Sequence, residues 1–213
     1  MVDVKIEIEA KLRLDGETDA AAVEQRLVKL AGRLVATMRE VNIFVDTREN
    51  QLKATDRGLR VRLVETMDDG TKVDDGTIVK PQAAGAAAGV TITFKGPRSV
   101  GRLKSRREIE VNVDSEEGAL NLLAELGYHE SIRFEKRRKR YLLEGCTIEL
   151  DEMPYLGHFL EIEGPDDATI LSVREKLGLS DRPLIHSSYV AMLATYLADH
   201  GLTERHVVFG AKA

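Results

Sequence analysis

Cysteine occurs once, at Cys146, so no internal disulfide can form, and a reducing, cytoplasmic setting is expected. Long apolar runs are missing as well. No stretch approaches the length of a membrane-spanning helix, and the charged first residues hold no signal-peptide apolar core. The five histidines lack zinc-like spacing, which argues against a His/Cys metal centre. There is no Gly-rich phosphate cradle of the P-loop or Rossmann kind, no strained Ser elbow, and no recognisable Cys–His pairing. If phosphates bind, side-chain cations must bind them. The formal net charge of -5 argues against wholesale nucleic-acid binding.

What is present is a soluble globular composition. Of 213 residues, 43% are hydrophobic and 31% charged, enough apolar material for a real core. The segment from Val4 to Leu14 alternates apolar and charged residues without a break, which is strand periodicity. Further strands are expected near 41–46, 59–65, 91–95, 106–113, 132–143, 146–151 and 158–163. Helices are expected at 19–34 capped by Thr18, at 115–126 capped by Ser115, at 167–177 and at 187–199. Residues 66–90 lose periodicity, run into an Ala/Gly-rich piece and read as a long loop inside one domain. Each helix has an apolar stripe to bury, and the apolar strand faces are the available partner. The charged strand faces then point away from the helices, to water in an open sheet or into a lumen in a closed one. Periodicity does not separate these geometries.

Taking every second residue shows what that face holds. Glu7, Glu9 and Lys11 share it on the first strand, and Arg60 and Arg62 on another. Thr91, Thr93 and Lys95 follow, then Arg106, Glu108 and Glu110, then Lys136, Arg138 and Arg140. Glu149 pairs with Asp151, and Glu161 with Glu163. Taken singly, each is an ordinary solvated strand face. Together they segregate long cations from paired carboxylates, as a site needs when one part grips phosphates and another holds a metal. A polyphosphate- or RNA-binding module is the competing non-enzymatic reading, and the acidic pairs weigh against it.

These motifs, in this order, resemble the CYTH family, or triphosphate tunnel metalloenzymes, which includes class IV adenylate cyclases and thiamine triphosphatases. The resemblance rests on Glu7-Ile8-Glu9-Ala10-Lys11, Asn42 to Thr47, Gly58 to Arg62, Thr93 to Pro97, Arg106 to Glu110, Lys136-Arg137-Arg138, Leu150 to Glu163 and Ser188-Tyr189. It implies an α+β fold: a closed antiparallel eight-stranded β-barrel forming a tunnel, with amphipathic helices outside. One such domain would span 1–200, and 201–213 would be a tail. Lys11, Arg60, Arg62, Lys95, Lys136 and Arg138 would hold phosphates, with Arg106 added from its strand face. Glu7, Glu9 and Glu161 would hold Mg²⁺ or Mn²⁺, with Asp151 and Glu163 close by. Asp151 and Lys11 would stand nearest the chemistry. The implied partner is a triphosphate-containing small molecule, ATP or tripolyphosphate, with no membrane or nucleic acid; the oligomeric state, a homodimer among the options, is open. The long motif from Asp151 to Glu163 leans toward the cyclases, Asn42 to Thr47 and Glu163 toward the triphosphatases. A slight lean to cyclisation is the expectation. Phe44-Val45 stands where the family has Tyr-Phe, and the Ala/Gly run has no counterpart.

Overall fold

A computed structural model describes residues 3–67, 89–99 and 101–210. The expected long loop falls, over 68–88, outside the described residues. In chain order the elements are β1 (Asp3–Leu14), α1 (Glu17–Lys29), β2 (Arg33–Asp46), α2 (Gln51–Ala54), β3 (Gly58–Thr66), β4 (Gly89–Ser99) and β5 (Lys104–Val113). There follow α3 (Glu116–Glu125), β6 (His129–Leu143), β7 (Cys146–Met153), β8 (Gly157–Glu163), α4 (Asp167–Lys176), α5 (Tyr189–Asp199) and β9 (His206–Val207).

The sheet runs β2-β3-β4-β5-β1-β8-β7-β6, and β2 pairs with β6 to close it into an antiparallel eight-stranded barrel. The short β9 adds in parallel to Arg133 and Phe134 outside that circuit. Closure answers the question that periodicity left open. Because side chains alternate across a strand, Glu7, Glu9 and Lys11 of β1 enter the lumen while Ala10, Leu12 and Leu14 point outward. There they pack with Val23 and Leu27 of α1 and with Ile170 and Val173 of α4. On the other flank, Ala119 and Leu123 of α3 cover Ile43, Val45 and Val61. The fifth helix covers an end of the barrel rather than a side: Tyr189, Leu193 and Leu197 meet Ile132, Phe134, Met153 and Phe159.

Three expectations need correction. The first helix stops at Lys29, not Leu34, and starts behind Gly16 rather than a Thr18 cap. The chain reverses at Ala31, which adopts a positive φ of 57°, and at Gly32, whose amide donates to the Leu27 carbonyl at 2.8 Å. A Cβ at Gly32 would meet that same oxygen at 2.9 Å, so the turn needs glycine. Leu34 therefore belongs not to a helical stripe but to β2, opposite Tyr141. Consequently β2 begins at Arg33 rather than 41. Lastly, 206–207, expected as tail, forms β9. The Ser115 cap, by contrast, is present, its Oγ accepting from the Gly118 amide at 3.0 Å.

Close approach also governs Gly164, at the end of β8. A Cβ there would lie 2.8 Å from Ile170 Cγ1 and 2.9 Å from Cys146 Sγ, both in the core under α4. Gly164→Ala should therefore cost about 1–3 kcal/mol through overpacking. Urea unfolding with an unchanged slope would read it; an unaltered midpoint would show that α4 shifts freely.

Candidate active site

Every charged position picked out by the two-residue period on the described strands turns into the barrel. A cavity of about 680 Å³ enters from the α5 end and is lined by Glu7, Glu9, Lys11, Arg60, Arg62, Lys95, Arg106, Lys136, Arg138, Glu161 and Glu163. A second cavity of about 300 Å³ opens at the other end and shares Glu7, Arg62, Arg138 and Glu163 with the first. Those four side chains therefore lie between the two cavities.

The cations differ in how firmly they are held. Arg138 is fully committed: it donates two 2.6 Å bonds to Asp151 and a 2.7 Å bond to Glu161, and pairs with Glu149. Lys136 lies 3.2 Å from Glu40 and 3.3 Å from Asp151. Lys11 sits 3.1 Å from Glu161 and donates to the Ser187 carbonyl, its ammonium 3.9 Å from the centre of the Tyr189 ring. Lys95 donates to Glu108 and reaches Glu7 at 3.5 Å. Arg106 donates to the Asp56 carbonyl at 3.2 Å.

Arg60 is different. Among the described residues its bonds go to neutral groups, Asn42 and Thr93, both at 3.3 Å. Burial and the adjacent Arg62 push its guanidinium down to about 10, despite Glu108, Glu40 and Glu110 nearby. The Nε–H groups of Arg60, Arg62 and Arg106 are all buried with no hydrogen-bond acceptor among the described residues. Buried donors without partners are costly, and three of them in one lumen define a demand for anionic oxygen.

The acids form two groups. Glu7, Glu9 and Glu163 each offer an oxygen within 4.8 Å of the others, the cluster able to share a metal among the described residues. Burial pushes the Glu163 carboxyl well above the ordinary range, and Glu7 and Glu149 add to this. Glu108, beside them, is pushed up to about 7 by burial and by Glu7, against the pull of Lys95. Crowded carboxylates of this kind call for a hard cation, and an all-oxygen donor set suits Mg²⁺ or Mn²⁺. Glu161 and Asp151 stand apart from that cluster. For Glu161, burial is outweighed by Lys11, Arg138 and Lys136, which hold it below the carboxylate range. Asp151 accepts from Arg138 and from the Tyr189 hydroxyl at 2.9 Å, so both its oxygens are engaged.

Sequence reasoning passed over Glu40, Lys104 and the role of Asn42. Glu40 is 0% exposed in the lumen; burial is overcome by Arg62, Lys136 and Arg138, which hold it well below the usual range. It lies two residues before Asn42, in the first half of β2, which the helix-like spacing of Leu27, Leu30 and Leu34 conceals. Lys104, 2.5 Å from Glu9, similarly precedes Arg106 by two. One stability consequence follows directly. Arg138→Ala would strand Glu149, Asp151 and Glu161 without their shared cation and should cost about 3–5 kcal/mol, read as a lowered urea midpoint.

A closed barrel whose lumen carries such cations beside a carboxylate cluster defines a triphosphate-tunnel protein. The CYTH domain family model matches residues 5–189, and the chain belongs to the CYTH family, whose members are metal-dependent phosphoryl-transfer enzymes acting on triphosphates. A Methanocaldococcus jannaschii protein provisionally named an adenylate cyclase is 25% identical over 196 residues, covering 88% of this chain and 98% of its own. Among solved structures, PH1819 of Pyrococcus horikoshii superposes with a TM-score of 0.69 at 23% identity, covering 89% of this chain and 98% of that one. A Hippeastrum protein described as a provisional adenylyl cyclase with dominant triphosphatase activity gives 0.60 at 17% identity, over 93% and 97%. These two likenesses concern the fold. No described helix is long and apolar enough to cross a membrane.

Proposed function

We propose that this chain is a divalent-metal-dependent enzyme that breaks a phosphoanhydride bond of a triphosphate, ATP or a related compound, in the cytoplasm. The observation that carries the reading is the adjacency, in one lumen, of the Glu7/Glu9/Glu163 cluster and three buried guanidinium Nε–H groups that lack acceptors among the described residues. Glu7, Glu9 and Glu163 would hold Mg²⁺ or Mn²⁺, and the metal would supply charge stabilisation at the reacting phosphoryl group. Arg60, Arg62, Lys95, Arg106 and Lys136 would bind the phosphate oxygens, and Lys11 would neutralise charge developing between Glu161 and the substrate. Asp151, held by Arg138 and Tyr189, positions Lys136 and Arg138.

Two reactions use this equipment. In cyclisation the ribose hydroxyl attacks the α-phosphorus and pyrophosphate leaves; the name of the M. jannaschii relative and the Asp151–Glu163 motif support it. In hydrolysis water attacks the terminal phosphorus and a diphosphate leaves; the activity described for the Hippeastrum protein supports it. Incubation with ATP and Mg²⁺ or Mn²⁺, followed by product separation, distinguishes them. Cyclic AMP with pyrophosphate means cyclisation, and ADP with orthophosphate means hydrolysis. No turnover of ATP, thiamine triphosphate or tripolyphosphate would overturn the proposal.

A further inference from the structure

Two stretches of the outer barrel wall lie outside the helix-packed core clusters, and they differ in kind. Over β2 and β6 the outward side chains are charged and paired: Arg39 meets Glu65 at 2.9 Å, and Arg137 meets Glu152 at 3.2 Å. That wall suits water. Across β1, β5 and β4 the outward positions are apolar. Ile6 lies opposite Arg107, Phe94 opposite Ile109, and Ile92 opposite Val111. Ile6 is 65% exposed and Val111 36%. Among the described residues, Ile6, Phe94, Ile109 and Val111 join none of the core clusters. An apolar strip of this kind marks an interaction surface rather than a solvated wall.

Helix α3 borders the strip, since its core cluster takes in Val90 and Ile92 of β4. Ala119 and Leu123 are the buried residues of that helix. Leu122 and Leu126, one turn apart, are 58% and 65% exposed. The exposed Glu125 lies three residues after Leu122 and shares its stripe. Every charge on α3 is negative, Glu116, Glu117 and Glu125. The strip carries one charge, the exposed Arg107. Among the described residues neither Arg107 nor Glu125 has an ion-pair partner.

We infer that this surface binds a second copy of the chain, about a two-fold axis that lies in the contact plane and runs along the strands. That operation sets the α3 stripe of each copy on the strand strip of the other. Leu122 and Leu126 then meet Ile6, Ile109 and Val111, and Glu125 meets Arg107 twice per dimer. The heights along the barrel agree. Helix α3 leads through Tyr128 to His129, opposite Asp46 at the mouth of the large cavity, and Arg107 follows Arg106, which lines the same cavity. A two-fold axis across the strands would instead set α3 on α3 and Arg107 on Arg107, like charge on like charge. The acidic helix beside the basic strip therefore selects the axis. The contact uses the side wall, so the cavity openings at the barrel ends stay free.

Analytical ultracentrifugation of the full chain tests this. The wild-type protein should sediment as a dimer at micromolar concentration. Arg107→Glu and Glu125→Lys should each weaken association about 10-fold or more. Mixing the two variants in equal amounts should restore it. Each mixed dimer pairs the two substituted positions with opposite charge and keeps one native Arg107–Glu125 contact. Leu122→Asp should weaken association with both native charges in place, and it carries the test if circular dichroism shows a charge variant to be unfolded. A monomeric wild-type protein would overturn the inference and leave the strip to another segment of the chain or to a foreign partner. A dimer that none of the three substitutions weakens would place the interface elsewhere. Folded charge variants that stay monomeric when mixed would overturn the axis.

Discussion

Arg60→Ala should weaken triphosphate binding by about 10- to 100-fold, since a charge-assisted hydrogen bond contributes about 1.5–3 kcal/mol and each 1.4 kcal/mol is a decade. The fold should be no less stable for it. Among the described residues Arg60 has two long bonds to neutral partners, an unsatisfied Nε–H and the neighbouring Arg62 charge, and no carboxylate depends on it for an ion pair. Its guanidinium remains protonated at neutral pH, although pushed down to about 10. The side chain is held in an unfavourable state that an anion relieves, a trade of stability for function. Lys136→Ala should lose triphosphate binding as well, but with destabilisation, because Glu40 and Asp151 lose their ammonium. For both variants monophosphate binding should fall far less. Calorimetric titration beside urea unfolding separates the two effects. Equal losses for triphosphate and monophosphate would show that these bases form no triphosphate grip.

The second large effect concerns the carboxylates. Glu7→Gln removes one oxygen anion from a cluster whose members lie within 4.8 Å of one another. Metal-supported turnover should drop by about 100-fold or more, since the metal contributes several kcal/mol of charge stabilisation. Stability in chelator should not fall in step, because the same substitution eases the crowding among Glu7, Glu108 and Glu163. In thermal unfolding, Mn²⁺ should raise the midpoint of the wild-type protein and leave that of the variant nearly unmoved. A variant that keeps both its turnover and its Mn²⁺ shift would place the metal elsewhere.

Much of this arrangement was legible from side-chain alternation. A period of two sorted Glu7, Glu9 and Lys11 from Ala10 and Leu12, and Arg60 and Arg62 from Val61, without reference to any fold. What alternation could not supply was closure. The pairing of β2 with β6 joins residues roughly a hundred positions apart, and no local pattern specifies that contact. Boundaries failed where two periods overlap. Val23, Leu27, Leu30 and Leu34 fit a helical stripe, yet the turn at Ala31 and Gly32 ends the helix, and Glu40 was missed with the start of its strand. Partner choice among like charges was equally illegible. Glu161 and Glu163 share a strand face, but only the barrel brings Glu163 to Glu7 and Glu9 while Glu161 turns to Lys11 and Arg138. The basic run from Lys136 to Arg140 carries cations on both faces. Only the packing shows Lys136 and Arg138 inside, while Arg137 pairs outside with Glu152.

The central claim is that the lumen binds a triphosphate chain together with a divalent cation. Its most direct measurement is titration of the wild-type protein with a non-hydrolysable ATP analogue in Mn²⁺, repeated in chelator. One molecule should bind per chain, with affinity falling about 10-fold or more when the cation is removed and with AMP binding far more weakly. Affinity indifferent to chelation, or equal for the monophosphate, would contradict it.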